Sequence, residues 1–243
     1  MFKMSKNIIL SSLLLTSTAF AMGEVSKNEI TQMENSELFK RAEIKITKAY
    51  DQGSIYLLNI NVRGKADAVY LTKDKKLLIA GDVIDTETGM KISVPADLSP
   101  LAGKEAFTYG TGSEELVLFT DPECPYCKKL ESYFPQIKDK VKIKVFFYPL
   151  DFHKNAKDLS LYVLSQKTSD AKIKAMFEVN PNLEAFKNKK YSKDEKEKLE
   201  KQLEEQIKLA QDLNVQGTPS MFDAQGNSVV WVTLLQKYGI ELK

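Results

Sequence analysis

Cys124 and Cys127 are the only cysteines in 243 residues, and they stand in Cys124-Pro125-Tyr126-Cys127 just after the apolar run Leu116-Val117-Leu118-Phe119-Thr120. A buried strand handing over to a helix at this spacing exposes the first sulfur and holds the second one turn inside, within reach. Unpaired N–H groups and the positive end of the helix dipole favour the thiolate there, which lowers the pKa of Cys124. A thiolate is the attacking species in disulfide exchange, and Cys127 can resolve the mixed disulfide that results. Two other readings compete. Zinc asks for four ligands, whereas the chain supplies two thiols and one histidine, His153. A purely structural bridge closing so short a loop would stabilise little. His153, after Asp151-Phe152, reads as a surface or loop histidine rather than a base, because a low-pKa thiolate does not need one. A second signal is Gly217-Thr218-Pro219, ahead of an apolar strand that starts near Met221. Proline cannot donate to a ladder, and a cis bond there would form a tight turn beside an extended peptide.

The elements that must position these groups follow from periodicity. Leu116 to Thr120 is a continuous apolar run, suited to a strand buried on both faces. A helix is expected to about Phe134, a second strand over Ile143 to Tyr148, and a mainly helical stretch from Asn155 to Leu213. Within that stretch Ser192 and Glu195 make a capping box, and Leu199, Leu203, Ile207, Ala210 and Leu213 form a stripe at helical spacing. Two short strands, Met221 to Asp223 and Ser228 to Val232, and a helix from Thr233 to Tyr238 complete a mixed sheet with helical cover, an α+β or α/β class. Upstream, Ser36 and Glu37 could open a short helix to Ala42. Ile44 and Ile46, then Tyr56, Leu58, Ile60 and Val62, alternate as strands, and Val69 to Thr72 with Leu77 to Ala80 form a hairpin pair. This region is small, so its apolar face needs a partner. Pro95, Pro100, Gly103, Gly110 and Gly112 mark a connector, with one helical turn around Leu98 to Phe107. The domains are therefore expected at 22–94, a linker at 95–112 and a catalytic domain at 113–243 with a helical insertion over about 155–213.

Composition sets the wider bounds. The chain is 43% hydrophobic with a net charge of +2, which excludes general disorder. No apolar run reaches the roughly 18 residues of a spanning helix. Residues 1–21 combine Lys3 and Lys6, an apolar core from Ile8 to Leu15 and a small-x-small end at Ala19-Phe20-Ala21, the pattern of a secretory signal cleaved after Ala21. An uncleaved anchor is the competing reading. Removing that segment leaves 33 basic and 33 acidic residues, and only Arg41 and Arg63 are arginines. Binding of nucleic acid or anionic lipid through bulk charge has no support. Export also places both thiols in an oxidising compartment, the periplasm.

The run Phe119-Thr120-Asp121-Pro122-Glu123-Cys124-Pro125-Tyr126-Cys127-Lys128-Lys129-Leu130, with Gly217-Thr218-Pro219 later, resembles the thioredoxin-fold domain of the periplasmic DsbC/DsbG disulfide isomerases. Val69 to Asp74 and Leu78 to Asp85 are similar to that family's N-terminal dimerisation domain, a small cystatin-like α+β fold. The resemblance implies a thioredoxin fold with a helical insertion, Cys124 as nucleophile, Cys127 as resolving thiol and a redox-active disulfide between them. It implies a cis Pro219 facing the thiols, and substrate contacts from Thr218, Pro219, Pro125 and Tyr126. It further implies a homodimer acting on unfolded or misoxidised exported proteins, no cofactor, and a membrane redox partner. Pro125 departs from the glycine common in the family, the proline and glycine of the connector put its long linker helix in doubt, and no further cysteines exist for a second disulfide. The expected function is that of a dimeric disulfide isomerase or reductase served by a DsbD-like membrane reductase. The alternatives are a disulfide oxidase re-oxidised by a quinone-linked membrane protein, electron delivery to cytochrome maturation, and a cleft-type periplasmic chaperone.

Overall fold

The computed structural model describes residues 23–86 and 91–242. The expected export signal at 1–21 lies outside the described residues. The chain divides into two compact units, one ending at Asp82 and the other starting at Val83.

The first unit runs β1 (Gly23–Glu24), α1 (Lys27–Glu34), α2 (Glu37–Arg41), β2 (Ile44–Asp51), β3 (Ile55–Val62), β4 (Lys65–Thr72) and β5 (Leu78–Ile79). Among the described residues its strands form one antiparallel sheet in sequential order. The alternation of Tyr56, Leu58 and Ile60, joined by Val69 and Leu71, covers one face with Met33 of α1 and Phe39 of α2. Val62 pairs with Lys65, so Arg63 and Gly64 alone turn the chain. Both have positive φ, 51° and 87°, as a two-residue hairpin requires. The polar run before Ser36 carried no helix expectation. Helix α1 forms there because Ser26 accepts a hydrogen bond from the Glu29 N–H, and Glu34 reaches the Ile46 N–H at 2.8 Å.

The second unit opens with a 3-10 turn at Ser99–Leu101, then runs β6 (Phe107–Tyr109), β7 (Glu114–Thr120), α3 (Pro125–Glu131), α4 (Phe134–Ile137), β8 (Val141–Phe147), α5 (Ala156–Leu164), α6 (Ser169–Glu178), α7 (Glu184–Lys187), α8 (Lys193–Asp212), β9 (Ser220–Asp223), β10 (Ser228–Val229) and α9 (Trp231–Lys237). The sheet order is β10-β9-β7-β8-β6, with β7 parallel to β8 and antiparallel to β9. Strand β7 is thus flanked on both sides. Its alternate residues serve two cores: Leu116 and Leu118 join the layer with α3, α5 and α6, whereas Val117 and Phe119 pack with Phe146, Leu209, Val215 and Phe222. That is why its apolar run is unbroken.

Several expectations need correction. The helical turn sought around Leu98 to Phe107 shrinks to Ser99–Leu101, and Phe107 to Tyr109 form an edge strand on β8. The first helix breaks at Ser132 and Tyr133 before α4, and the stretch from 155 to 213 is four helices. The second strand ends at Phe147, the last strand ends at Val229, and the last helix starts at Trp231. Ser192 caps α8 by accepting from the Glu195 N–H at 3.1 Å, while the Glu195 carboxylate pairs with Lys189. Within the α8 stripe lies wholly buried Gln206, which accepts from the Phe147 N–H at 2.9 Å and donates to the Lys104 carbonyl at 2.8 Å. A buried amide satisfied at both ends costs little and fixes register.

Gly226, in the β9–β10 turn, has φ +86°, and a Cβ there would lie 2.0 Å from the Ala96 carbonyl oxygen. The Ala96 N–H donates to the Gly226 carbonyl at 2.8 Å, which ties the connector to this turn. Gly226→Ala is therefore expected to destabilise the second unit by about 1–3 kcal/mol, read as a lowered midpoint in urea.

Candidate functional site

The site gathers where β7 ends. Thr120 closes the strand, Asp121 to Glu123 form a loop, and Cys124 is the N-cap of α3 with Pro125 in its first turn. Proline fits that position because its missing N–H would have had no helical partner. Both cysteines are free thiols. Cys124 is 4% exposed and Cys127 is wholly enclosed. From the far end of the chain, Thr218 meets them: the Cys124 thiol donates to the Thr218 carbonyl at 3.4 Å, and the Thr218–Pro219 bond is cis. Thr218 Oγ1 is buried and makes no hydrogen bond among the described residues in this dithiol form, which leaves its hydroxyl free to turn to a thiolate.

The two sulfurs are electrostatically unlike. Cys124 is brought down to about 5, chiefly by a hydrogen bond from the Cys127 thiol. Burial opposes this, and the Cys127 and Tyr126 N–H groups and the Thr218 hydroxyl add to it. Cys127 moves strongly upward because burial disfavours its charged form and because it donates to Cys124. One sulfur is held as an anion and its neighbour as a neutral donor.

Beneath them lies Glu131, 1% exposed, which the sequence analysis did not single out. Its Oε1 accepts from the Thr120 hydroxyl at 2.9 Å. Its Oε2 lies 3.3 Å from Lys128 Nζ, too poorly aligned for a hydrogen bond, because that ammonium donates instead to the Met176 carbonyl at 2.6 Å. Burial raises the Glu131 carboxyl to about 7, against the lowering effect of Lys128 and Thr120. The signal was present in the spacing: Glu131 is four residues after Cys127 and so on the same helix face.

Two more carboxylates organise the entry to α3. Asp121, wholly buried, accepts from the Glu123 N–H at 2.7 Å and the Leu150 N–H at 2.8 Å, and its Oδ2 lies 2.8 Å from His153 Nδ1. Glu123 accepts from the Asn155 N–H and from its Nδ2 at 2.6 and 2.8 Å. Burial opposes ionisation of Glu123, yet these bonds and nearby His153 hold its carboxyl below the usual range. His153 is therefore no open-loop histidine: its side chain is 17% exposed and pinned to a buried acid, a correction to the sequence reading. Tyr126, by contrast, is 70% exposed, and so is Phe152, at 75%.

Two outcomes follow from these charges. Alkylation of Cys124 is expected to speed up about tenfold per pH unit to about pH 5 and then level off, and Thr218→Val should move that midpoint upward. Glu131 ionises at about 7 in the folded chain against an ordinary 4.5, so unfolding releases a proton between those values. Its contribution is complete below about 4.5 and is lost as pH rises through 7, by up to about 3 kcal/mol, and Glu131→Gln should flatten that fall in urea titrations.

Comparison with known proteins places this geometry. Residues 108–234 match the family described as a thioredoxin-like domain. The chain is 27% identical over 173 residues to a probable thiol:disulfide interchange protein DsbC of Bordetella avium, covering 64% of this chain and 55% of that protein. It spans, then, about half the length of that relative. Among solved structures, the catalytic domain of Proteus mirabilis ScsC aligns at 23% identity over 58% of this chain and 91% of that one, with a TM-score of 0.42. Helicobacter pylori DsbG aligns at 12% identity over 82% and 100%, with a TM-score of 0.40. With the domain match extending over more than half of its length, the chain belongs to the thioredoxin-like domain family.

Proposed function

We propose that this chain is an exported, periplasmic thiol:disulfide oxidoreductase that acts as a dimeric isomerase or reductase on misoxidised proteins. The observation that carries this reading is the unlike pair of thiols, with Cys124 held at about 5 against the Thr218 segment. The Cys124 thiolate attacks one sulfur of a substrate disulfide and forms a mixed disulfide, and the other substrate sulfur leaves as a thiolate. In isomerisation a second substrate thiolate then attacks the substrate sulfur of that bond, which creates a new substrate disulfide and returns Cys124 unchanged. In reduction Cys127 loses its proton and attacks Cys124, so the protein gains a disulfide while the substrate gains two electrons. Glu131, linked through Thr120 and raised to about 7, is suited to take the Cys127 proton near neutral pH. Thr218 and Pro219 would offer main-chain contacts to the substrate, and Pro125 and exposed Tyr126 would flank its disulfide.

The reading assigns residues 22–94 to dimerisation, 95–112 to a linker and 113–243 to catalysis. Leu77 and Ile79, at 63% and 37% exposure on the edge of the first sheet, support a second copy as partner. A DsbD-like membrane reductase would then keep Cys124 and Cys127 reduced. The low Cys124 pKa favours a second reading as well, because a stabilised thiolate makes the disulfide form oxidising. In that case a quinone-linked oxidase would re-oxidise the pair.

Reactivation of ribonuclease carrying scrambled disulfides separates the two. The reduced protein, residues 22–243, is expected to restore activity, and Cys124→Ser to abolish it. Cys127→Ser should retain part of the activity and accumulate mixed disulfide. Absent reactivation, combined with rapid oxidation of reduced ribonuclease by the disulfide form, would overturn the isomerase reading in favour of the oxidase.

A further inference from the structure

The chain's one histidine is tied to the fully buried carboxylate three residues before Cys124. Both oxygens of Asp121 are already acceptors, Oδ1 from the Glu123 N–H and Oδ2 from the Leu150 N–H. An acceptor of this kind requires His153 Nδ1 to carry the hydrogen and donate it. The backbone of the same Asp121 grips both cysteines. Its N–H donates to Cys127 Sγ at 3.4 Å, and its carbonyl accepts from the Cys124 N–H at 3.1 Å. His153 is thus one side chain removed from the peptide that holds the sulfur pair. The Phe152 ring packs edge-on against the imidazole at 4.5 Å, and the His153 N–H is held by the Leu150 carbonyl at 2.9 Å, so the ring is oriented from its own loop. Glu123 with Asn155, and the Tyr148 N–H on the Thr120 carbonyl, tie the same two loops together independently. Those ties hold the loops without His153. What His153 alone supplies is the third donor to Asp121.

We propose that His153 is a positioning residue for the thiol pair: by donating Nδ1–H to Asp121 it fixes the backbone that bonds both cysteines and sets the balance between dithiol and disulfide. This rests on the thiol–disulfide reading above. Without that donor a buried carboxylate is short of one partner, and the Asp121 peptide relaxes to recover it. The relaxation moves an N–H that solvates the Cys127 sulfur in the dithiol state, and that sulfur is a thiol in one state and half of a disulfide in the other. A bond that differs between the two states shifts the equilibrium between them. Loosening it favours the disulfide.

The test equilibrates the full mature chain with glutathione buffers of stepped composition and reads the dithiol fraction by alkylation and mass. In His153→Asn the amide N–H falls where Nδ1 was, and in His153→Gln it falls where Nε2 was. His153→Gln should shift the equilibrium constant toward the disulfide by about threefold to tenfold, the net worth of one ordinary hydrogen bond. His153→Asn should stay within about twofold of the wild type. An unshifted His153→Gln, or equal shifts in both variants, overturns the proposal. A single histidine also gives a single imidazole 15N spin system, which serves even where a variant fails to fold. The wild-type Nδ1 signal should be that of a protonated donor and should differ between the reduced and oxidised protein; identical spectra overturn the proposal. A wild-type chain that never exchanges with glutathione overturns the thiol–disulfide reading itself, and this proposal with it.

Discussion

A sulfur anion that is almost out of contact with water is stable only where donors converge on it, and the second unit is arranged around that requirement. Cys124 draws on two separate segments: the first turn of its own helix, with its N–H groups and the Cys127 thiol, and the Thr218 loop. The helix contributes N–H groups because Pro125 starts it at that point, and Thr218 arrives because β9 pairs antiparallel with β7. The same burial that would discourage one charge discourages a second far more, so Cys127 stays neutral and serves as a donor.

Buried carboxylates divide the remaining work. Asp121 is surrounded by donors and acts as a fixed post on which two loops meet. Burial places the ionisation of Glu131 near neutrality, because its one good donor and one poorly aligned ammonium offset that burial only in part. Both acids are buried, ten residues apart in the chain, yet three donors meet Asp121 where Glu131 has one. The sheet makes this possible, because β7 ends against Phe147 of β8 and the Tyr148 that follows it, and leaves Thr120 hydrogen-bonded to Glu131 of α3.

Much of this was legible in the residues. Four consecutive apolar residues, Leu116 to Phe119, closed by Thr120, specify a strand covered on both sides, and a proline between the cysteines marks the helix start. The α8 stripe reads directly as a buried face, with Leu199 and Leu203 where the spacing places them. What escaped did so for physical reasons. Phe107 to Tyr109 is too short to show a period, and its strand character comes only from pairing with β8. Helix α1 has little apolar content and is held by its cap and by Glu34. Asp121 and His153 are 32 residues apart, and nothing local announces that they meet.

Cys124 and Thr218 are 94 residues apart in the chain, with α5 to α8 folded between them. Closing so long a loop is among the more entropically demanding contacts of the second unit, so it depends on the sheet being complete. Until β9 docks on β7, Cys124 lacks the Thr218 share of its stabilising hydrogen bonds and is a more ordinary thiol. A chain emerging unfolded therefore carries a less reactive cysteine, and full nucleophilicity arrives together with the finished fold. Reactivity and structural integrity are the same event, which protects an unfinished molecule from capturing the disulfides of its neighbours.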